Sequence, residues 1–130
     1  MDDQHSGIMG QKSAVCRILD ANLDRAREGL RIIEEWCRFG LNSAQMAGEC
    51  KEMRQELARW HTSEIRIFRD TSGDPGTGLT HPQEERRSSI QQLLQANLCR
   101  VQEALRVLEE YGKLYDAQMG IAFKLLPYWV

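Results

Sequence analysis

Leu19-Asp20-Ala21-Asn22-Leu23-Asp24-Arg25-Ala26-Arg27-Glu28-Gly29-Leu30-Arg31-Ile32-Ile33-Glu34-Glu35-Trp36 returns further along the chain. The second copy is Leu94-Gln95-Ala96-Asn97-Leu98-Cys99-Arg100-Val101-Gln102-Glu103-Ala104-Leu105-Arg106-Val107-Leu108-Glu109-Glu110-Tyr111. The skeleton L-x-A-N-L-x-R-x-x-E-x-L-R-x-x-E-E-aromatic stays in register throughout. A repeat of that length marks a duplicated unit, so the chain reads as two related halves.

Each copy is a helix with one buried face. At about 100° per residue, Leu19, Leu23, Ala26, Leu30, Ile33 and Cys37 form one stripe, and Leu94, Leu98, Val101, Leu105 and Leu108 form its counterpart. Asn22 and Asn97 land on the edge of these stripes. An amide left unpaired there costs about 1–3 kcal/mol. Two readings stand: the amides are satisfied within the protein, for instance by pairing across a pseudo-twofold axis, or they face a ligand.

Beside each Asn runs a ladder of alternating sign, Arg25-Glu28-Arg31-Glu34 and Arg100-Glu103-Arg106-Glu109. Residues three and four apart on a helix are neighbours, and each pair adds about 0.2–0.5 kcal/mol. A solvated, salt-bridged face accounts for Glu34 and Glu109, which the wheel sets far round. Arg25 and Arg100 flank the apolar stripe, where a partly desolvated guanidinium grips a phosphate bidentately.

The 130 residues allow one compact domain, and 42% hydrophobic content suffices for one core. A net charge of −2 argues against nucleic acid held by bulk electrostatics. No apolar run approaches the ~20 residues of a membrane span, and the N-terminus has no signal-peptide pattern, so a cytoplasmic location is expected. Cys16, Cys37, Cys50 and Cys99 show no C-x-x-C spacing. Buried thiols, Cys37 and Cys99 included, are expected rather than a zinc site or disulfides.

Residues 1–13 are polar, carry two glycines and are expected to be disordered. A first helix is expected from about Ala14 to Gly40. Ser43 caps a second, running from Ala44 to Ile67 with Met46, Cys50, Met53, Leu57, Trp60 and Ile65 on its apolar face. The short connection makes the pair an antiparallel hairpin. A third helix, from about Gln83 to Tyr115, carries the second copy. Asp116-Ala117-Gln118-Met119 then echoes Ser43-Ala44-Gln45-Met46, and a fourth helix follows as the counterpart of the second. It is expected to be shortened, because Pro127 falls where the first copy has Arg54, and a proline inside a helix costs about 3 kcal/mol. The fold class is thus all-α: a single domain over 14–130, with repeats 14–68 and 83–130 forming four helices about a pseudo-twofold axis.

Loop 69–82 joins the halves and is rich in Gly and Pro: Arg69-Asp70-Thr71-Ser72-Gly73-Asp74-Pro75-Gly76-Thr77-Gly78-Leu79-Thr80-His81-Pro82. It is either a plain linker or a ligand loop. In the second case the glycines let backbone N–H groups approach a phosphate, and threonine hydroxyls assist. Asp70 and Asp74 are then candidate holders of Mg²⁺, which takes one or two carboxylates together with phosphate oxygens. No Gly-Lys-Ser/Thr follows, so this is not a Walker A loop.

The segments R-I-L-D-A-N-L-D-R-A-R-E-G-L-R-I-I-E-E-W-C-R-F, R-D-T-S-G-D-P-G-T-G-L-T-H-P-Q-E-E and L-Q-A-N-L-C-R-V-Q-E-A-L-R-V-L-E-E-Y-G-K-L-Y together resemble one known module. It is the N-terminal helical region of cyanobacterial-type thiamine-phosphate synthases, related to a hydroxymethylpyrimidine-phosphate kinase distinct from the ribokinase-like enzymes. The resemblance runs from Arg17 to about Gly120. It implies roles for Asn22, Arg25, Glu28, Arg31 and Glu35, for Asn97, Arg100, Glu103, Arg106 and Glu110, and for Asp70 to His81.

The activity this implies is ATP-dependent phosphorylation of hydroxymethylpyrimidine phosphate to the diphosphate. Phosphoryl transfer asks for positioning, Mg²⁺ and charge neutralisation. On this expectation Arg25, Arg31, Arg100 and Arg106 neutralise the transferring group, while Glu28 and Glu103, like Asp70 and Asp74, hold metal or orient the acceptor. Asn22, Asn97, Gly73, Gly76, Thr77, Gly78 and His81 bind substrate. The alternative is a non-catalytic assembly or regulatory module that serves a synthase barrel or dimerises. A (β/α)₈ barrel needs about 200 residues or more, so joining pyrimidine to thiazole phosphate is not expected of these 130.

Overall fold

The computed structural model describes residues 2–70, 72–79 and 87–125, and among these every regular element is helical. The elements are α1 (Asp2–Glu35), a π-helical turn (Trp36–Gly40), α2 (Ala44–Trp60), α3 (Ser63–Arg66), α4 (Ile90–Tyr115) and α5 (Ala117–Leu125). The all-α class read from the sequence is therefore the observed one.

The repeat helices α1 and α4 pack against each other, and their apolar stripes are the core. Leu19, Leu23, Ala26, Leu30 and Cys37 are buried on one side, and Val101, Leu105 and Leu108 on the other. Ile33, Leu94 and Leu98 are half-buried at the margins. The close approach turns on Gly29, where a Cβ would stand 2.7 Å from Val101 Cγ2 and 3.2 Å from the Asn97 carbonyl oxygen. α2 adds Cys50, Met53 and Leu57, and α5 adds Met119 and Phe123. Trp60 and Phe123 meet at the end of the bundle, ring centroids 6.1 Å apart in a tilted arrangement.

Chain reversal after α1 uses the π-helical turn, which closes with Leu41 N–H donating to Trp36 O at 3.0 Å. Asn42 then takes a positive φ of 51°, a conformation asparagine tolerates better than most residues. Ser43 Oγ accepts from Met46 N–H at 3.1 Å and caps α2. Its sequence counterpart Asp116 accepts from Gln118 N–H at 2.8 Å at the head of α5.

Several boundaries differ from the sequence reading. The first helix begins at Asp2, not near Ala14, and covers most of the stretch expected to be disordered. Extending a helix already nucleated by packing is inexpensive, and only Gly7 and Gly10 weaken the stretch. The second helix stops at Trp60, not Ile67: His61 leaves helical geometry, and Thr62 caps the short α3, whose Ile65 is fully buried. α4 runs from Ile90, capped by Ser89, while the expected start at Gln83 lies outside the described residues. Met46, placed on the apolar face of the second helix, is 47% exposed. Pro127 lies outside the described residues.

Cysteine readings divide. Cys16, Cys37 and Cys50 are buried free thiols, whereas Cys99 is exposed. Burial, with the neighbouring Cys37 adding to it, pushes the Cys50 thiol up to about 11. At neutral pH it stays protonated and is a poor nucleophile.

Candidate functional site

Asp20 and Asp24 sit one turn apart on α1, so they share a face. The break at His61 swings the chain back across that face, and α3 then delivers Arg69. His61 Nε2 lies 2.6 Å from Asp20 Oδ1, and Arg69 donates to both oxygens of Asp20, at 2.8 Å to Oδ2 and 2.7 Å to Oδ1. Arg69 also reaches Asp24 Oδ2 at 3.1 Å. His61 Nδ1 is buried without a hydrogen-bond partner, 3.7 Å from Asp24 Oδ1.

Burial pushes the Asp20 carboxyl up, but hydrogen bonds and charge from Arg69 and His61 outweigh it and hold the group below the usual carboxylate range. Asp20 is thus an ionised, nearly buried acceptor. The imidazole nitrogen facing it therefore carries the proton, and the other nitrogen turns toward Asp24.

Above this cluster opens a polar cavity of about 530 Å³. Its wall includes Asn22, Arg25 and Glu28 from α1, and Arg69, Asp70 and Asp74 from the start of the loop. Arg17, Asp20 and Asp24 complete its charged lining. Asp70 Oδ1 accepts from Gly73 N–H at 2.8 Å and Ser72 Oγ at 3.1 Å, and Asp74 Oδ1 accepts from Gly76 N–H at 2.8 Å. The Gly73 N–H, followed by the Ser72 hydroxyl, holds the Asp70 carboxyl below its ordinary range. A Cβ on Gly73 would collide with the Asp70 carboxylate.

A second cavity, about 720 Å³, shares Ala14 and Ile18 with the first. Tyr111, Leu114 and Tyr115 give it an aromatic and apolar wall. Tyr115 Oη donates to Glu64 at 2.9 Å, and Glu64 pairs with Lys12 at 2.8 Å.

The sequence-derived candidates therefore separate. Asn22, Arg25, Glu28, Asp70 and Asp74 come together at one cavity. Arg31 pairs with Glu35, and Arg106 with Glu109 and Glu110, away from it. Arg100 and Glu103 are exposed on α4 and do not line the cavity. Gly73, Gly76, Thr77 and Gly78 are exposed in the loop, and Thr77 N–H bonds to Asp74 O at 3.3 Å. His81 lies outside the described residues.

Three expectations from the helical wheel are corrected. Asn22 and Asn97 do not pair with each other: each amide donates to the carbonyl four residues back, Ile18 at 2.9 Å and Leu93 at 2.8 Å. Glu34 and Glu109 are not solvated, each being only 8% exposed. Arg54 of α2 grips Glu34 bidentately at 2.9 and 3.0 Å, and Glu109 is matched by Arg106 and Lys113 on its own helix. Arg25 and Arg100 are exposed, not partly desolvated. The wheel placed these residues relative to one helix and took no account of the neighbour that covers its far side.

Asp20, Asp24, His61 and Arg69 were not identified as site residues from the sequence. The available signal was asymmetry between the copies. Where the first copy has Asp20 and Asp24, the second has Gln95 and Cys99, although the Arg and Glu positions around them are kept.

No helix among the described residues is long and apolar enough to cross a membrane. No solved structure gives a significant match. Among curated proteins the chain is 74% identical over 119 residues to a thiamine-phosphate synthase of a Nostoc species. That alignment covers 92% of this chain and 34% of the synthase. It is 71% identical to the thiamine-phosphate synthase of Nostoc punctiforme, with the same coverage of each chain. A Synechocystis thiamine-phosphate synthase is 62% identical over 91% of this chain and 34% of its own. The chain thus spans about a third of the length of these relatives. The ThiD2 family profile matches residues 17–130, and the chain belongs to the ThiD2 family.

Proposed function

We propose that this chain acts in thiamine biosynthesis as a kinase that transfers the γ-phosphoryl group of ATP to hydroxymethylpyrimidine phosphate, giving the diphosphate. The observation that supports this most is the shared polar cavity: three arginines and five carboxylates converge where α1 meets the Gly-rich loop. Such a lining suits a phosphate-rich ligand that arrives with a cation, since the carboxylates outnumber the guanidiniums.

In this reading Arg25 and Arg17 grip phosphate oxygens, and Arg69 adds a third guanidinium whose position Asp20 fixes. Asp70 and Asp74, turned to the cavity by loop N–H groups, are the residues that would hold Mg²⁺. Mg²⁺ held there would supply positive charge to offset that of the phosphates. Glu28 orients the accepting phosphate, and the aromatic wall of the adjoining cavity suits a flat heterocycle. Arg31, Arg100, Glu103 and Arg106 receive no role at this cavity.

A second reading, a non-catalytic module that docks on a synthase barrel or on its own copy, has its own observation. Phe39, Leu41 and Met46 are about half exposed or more around the α1–α2 connection, in a chain that matches only a third of its relatives. Thermal melts separate the two. The kinase reading expects Mg-ATP and hydroxymethylpyrimidine phosphate each to raise the melting temperature, since a ligand at 100 times its Kd adds about 2.7 kcal/mol. No shift with either ligand, in a sample that melts cooperatively, favours the docking module.

A further inference from the structure

His61 is 5% exposed, yet its Nδ1 has no hydrogen-bond partner. An orphaned buried nitrogen calls for an explanation. The atom it faces, Asp24 Oδ1, is 3.7 Å away, beyond hydrogen-bond range, which ends near ~3.2 Å. It is the separation of two donors bound to one metal at about 2.1 Å each, with an angle between them a little over 120°. On the other side of the ring, Asp20 Oδ1 holds Nε2 at 2.6 Å. A carboxylate on the far N–H is the usual partner of a metal-ligating imidazole, because it fixes the tautomer and turns the lone pair outward. One donor atom from each of Asp20, Asp24 and His61 falls within 4.8 Å of the others, so the orienting carboxylate and the two proposed ligands form one compact cluster.

We propose that Asp24 and His61 Nδ1, with Asp20 orienting the imidazole, hold a divalent transition-metal cation. A donor set of carboxylate and imidazole selects Mn²⁺, Fe²⁺ or Zn²⁺ over Mg²⁺, which prefers oxygen alone. Arg69 sets the terms of binding. Its guanidinium, about half exposed, bonds both carboxylates and occupies the charge-balancing role of a cation. Metal entry releases it toward the cavity. The second repeat carries Gln95 and Cys99 at the equivalent places, so these two carboxylates are particular to the first copy. This inference stands apart from the kinase reading, because the cation is held by protein groups without nucleotide.

The experiment is a titration of chelator-treated protein with Mn²⁺, without nucleotide, following free Mn²⁺ by electron paramagnetic resonance. One Mn²⁺ per chain is expected to bind, and Asp24→Asn, at a half-exposed position, is expected to weaken it 10-fold or more. His61→Ala is expected to abolish binding, with circular dichroism reporting whether that variant still folds. The decisive variant is Arg69→Met. If the carboxylates serve a metal, removing the competing guanidinium tightens Mn²⁺ binding. If they serve only Arg69, it destabilises the protein and leaves Mn²⁺ unbound. Absence of Mn²⁺ binding by the wild-type chain, or binding that Asp24→Asn leaves intact and Asp70→Asn removes, overturns the proposal.

Discussion

His61 Nε2 stands 2.6 Å from Asp20 Oδ1 across 41 residues of sequence, and this contact ties the end of α2 to the middle of α1. It exists because the helix breaks at His61. An unbroken helix to Ile67 would carry the imidazole away from α1 and leave Asp20 with Arg69 alone.

Asp20→Asn is therefore expected to cost about 1.5–3 kcal/mol, the range for hydrogen bonds to a charged group. The pH dependence has a definite sign. The folded Asp20 carboxyl is held below its unfolded range, so its contribution is complete above that range and is lost as pH falls through the folded value. Urea melts from pH 6 down to pH 2 should show wild-type stability falling below about pH 4, more steeply than in Asp20→Asn. Asp70 and Glu64 are also held low and keep part of the slope in the variant.

The two buried glutamates predict unequal responses. Arg54→Met leaves Glu34 without its bidentate partner in a buried setting and is expected to cost about 3 kcal/mol or more. Lys113→Ala removes a half-exposed partner of Glu109 while Arg106 remains, and is expected to cost under about 1 kcal/mol. Equal losses in denaturant melts would mean that the interhelical pair adds nothing over the local ones.

Gly29→Ala improves helix propensity by about 1 kcal/mol yet is expected to destabilise. The new methyl would stand 2.7 Å from Val101 Cγ2, and overpacking costs about 1–3 kcal/mol. A lower melting temperature with unchanged helical circular dichroism is the expected result.

Arg25 and Arg100 are repeat equivalents in different surroundings, which makes a controlled comparison. Arg25→Ala is expected to weaken binding of Mg-ATP or pyrimidine phosphate about 10-fold, as loss of a charge-assisted contact does. Arg100→Ala, away from the cavity, is expected to leave binding within error. Isothermal titration calorimetry on the two variants checks both.

The apolar periodicity made the core legible, since Leu19, Leu23, Leu30, Leu105 and Leu108 are buried where the helical stripe put them. Ser43 as a cap was legible for a similar reason, because capping is local chemistry. Glu34 was misplaced because its partner Arg54 comes from another helix, and no single wheel contains that information. The site divides along the same line. Asn22, Arg25 and Glu28 share one helix face and were found together. His61 and Arg69 join Asp20 and Asp24 only after the break at His61 folds the chain back, and no short motif announces that break.

The phosphoryl-transfer reading is tested most directly by ³¹P NMR of the purified chain with Mg-ATP and hydroxymethylpyrimidine phosphate. The account predicts that the pyrimidine monophosphate resonance gives way to a pair of diphosphate resonances while ATP is converted to ADP. Unchanged ATP and monophosphate spectra, from protein that is helical and melts cooperatively, would contradict it.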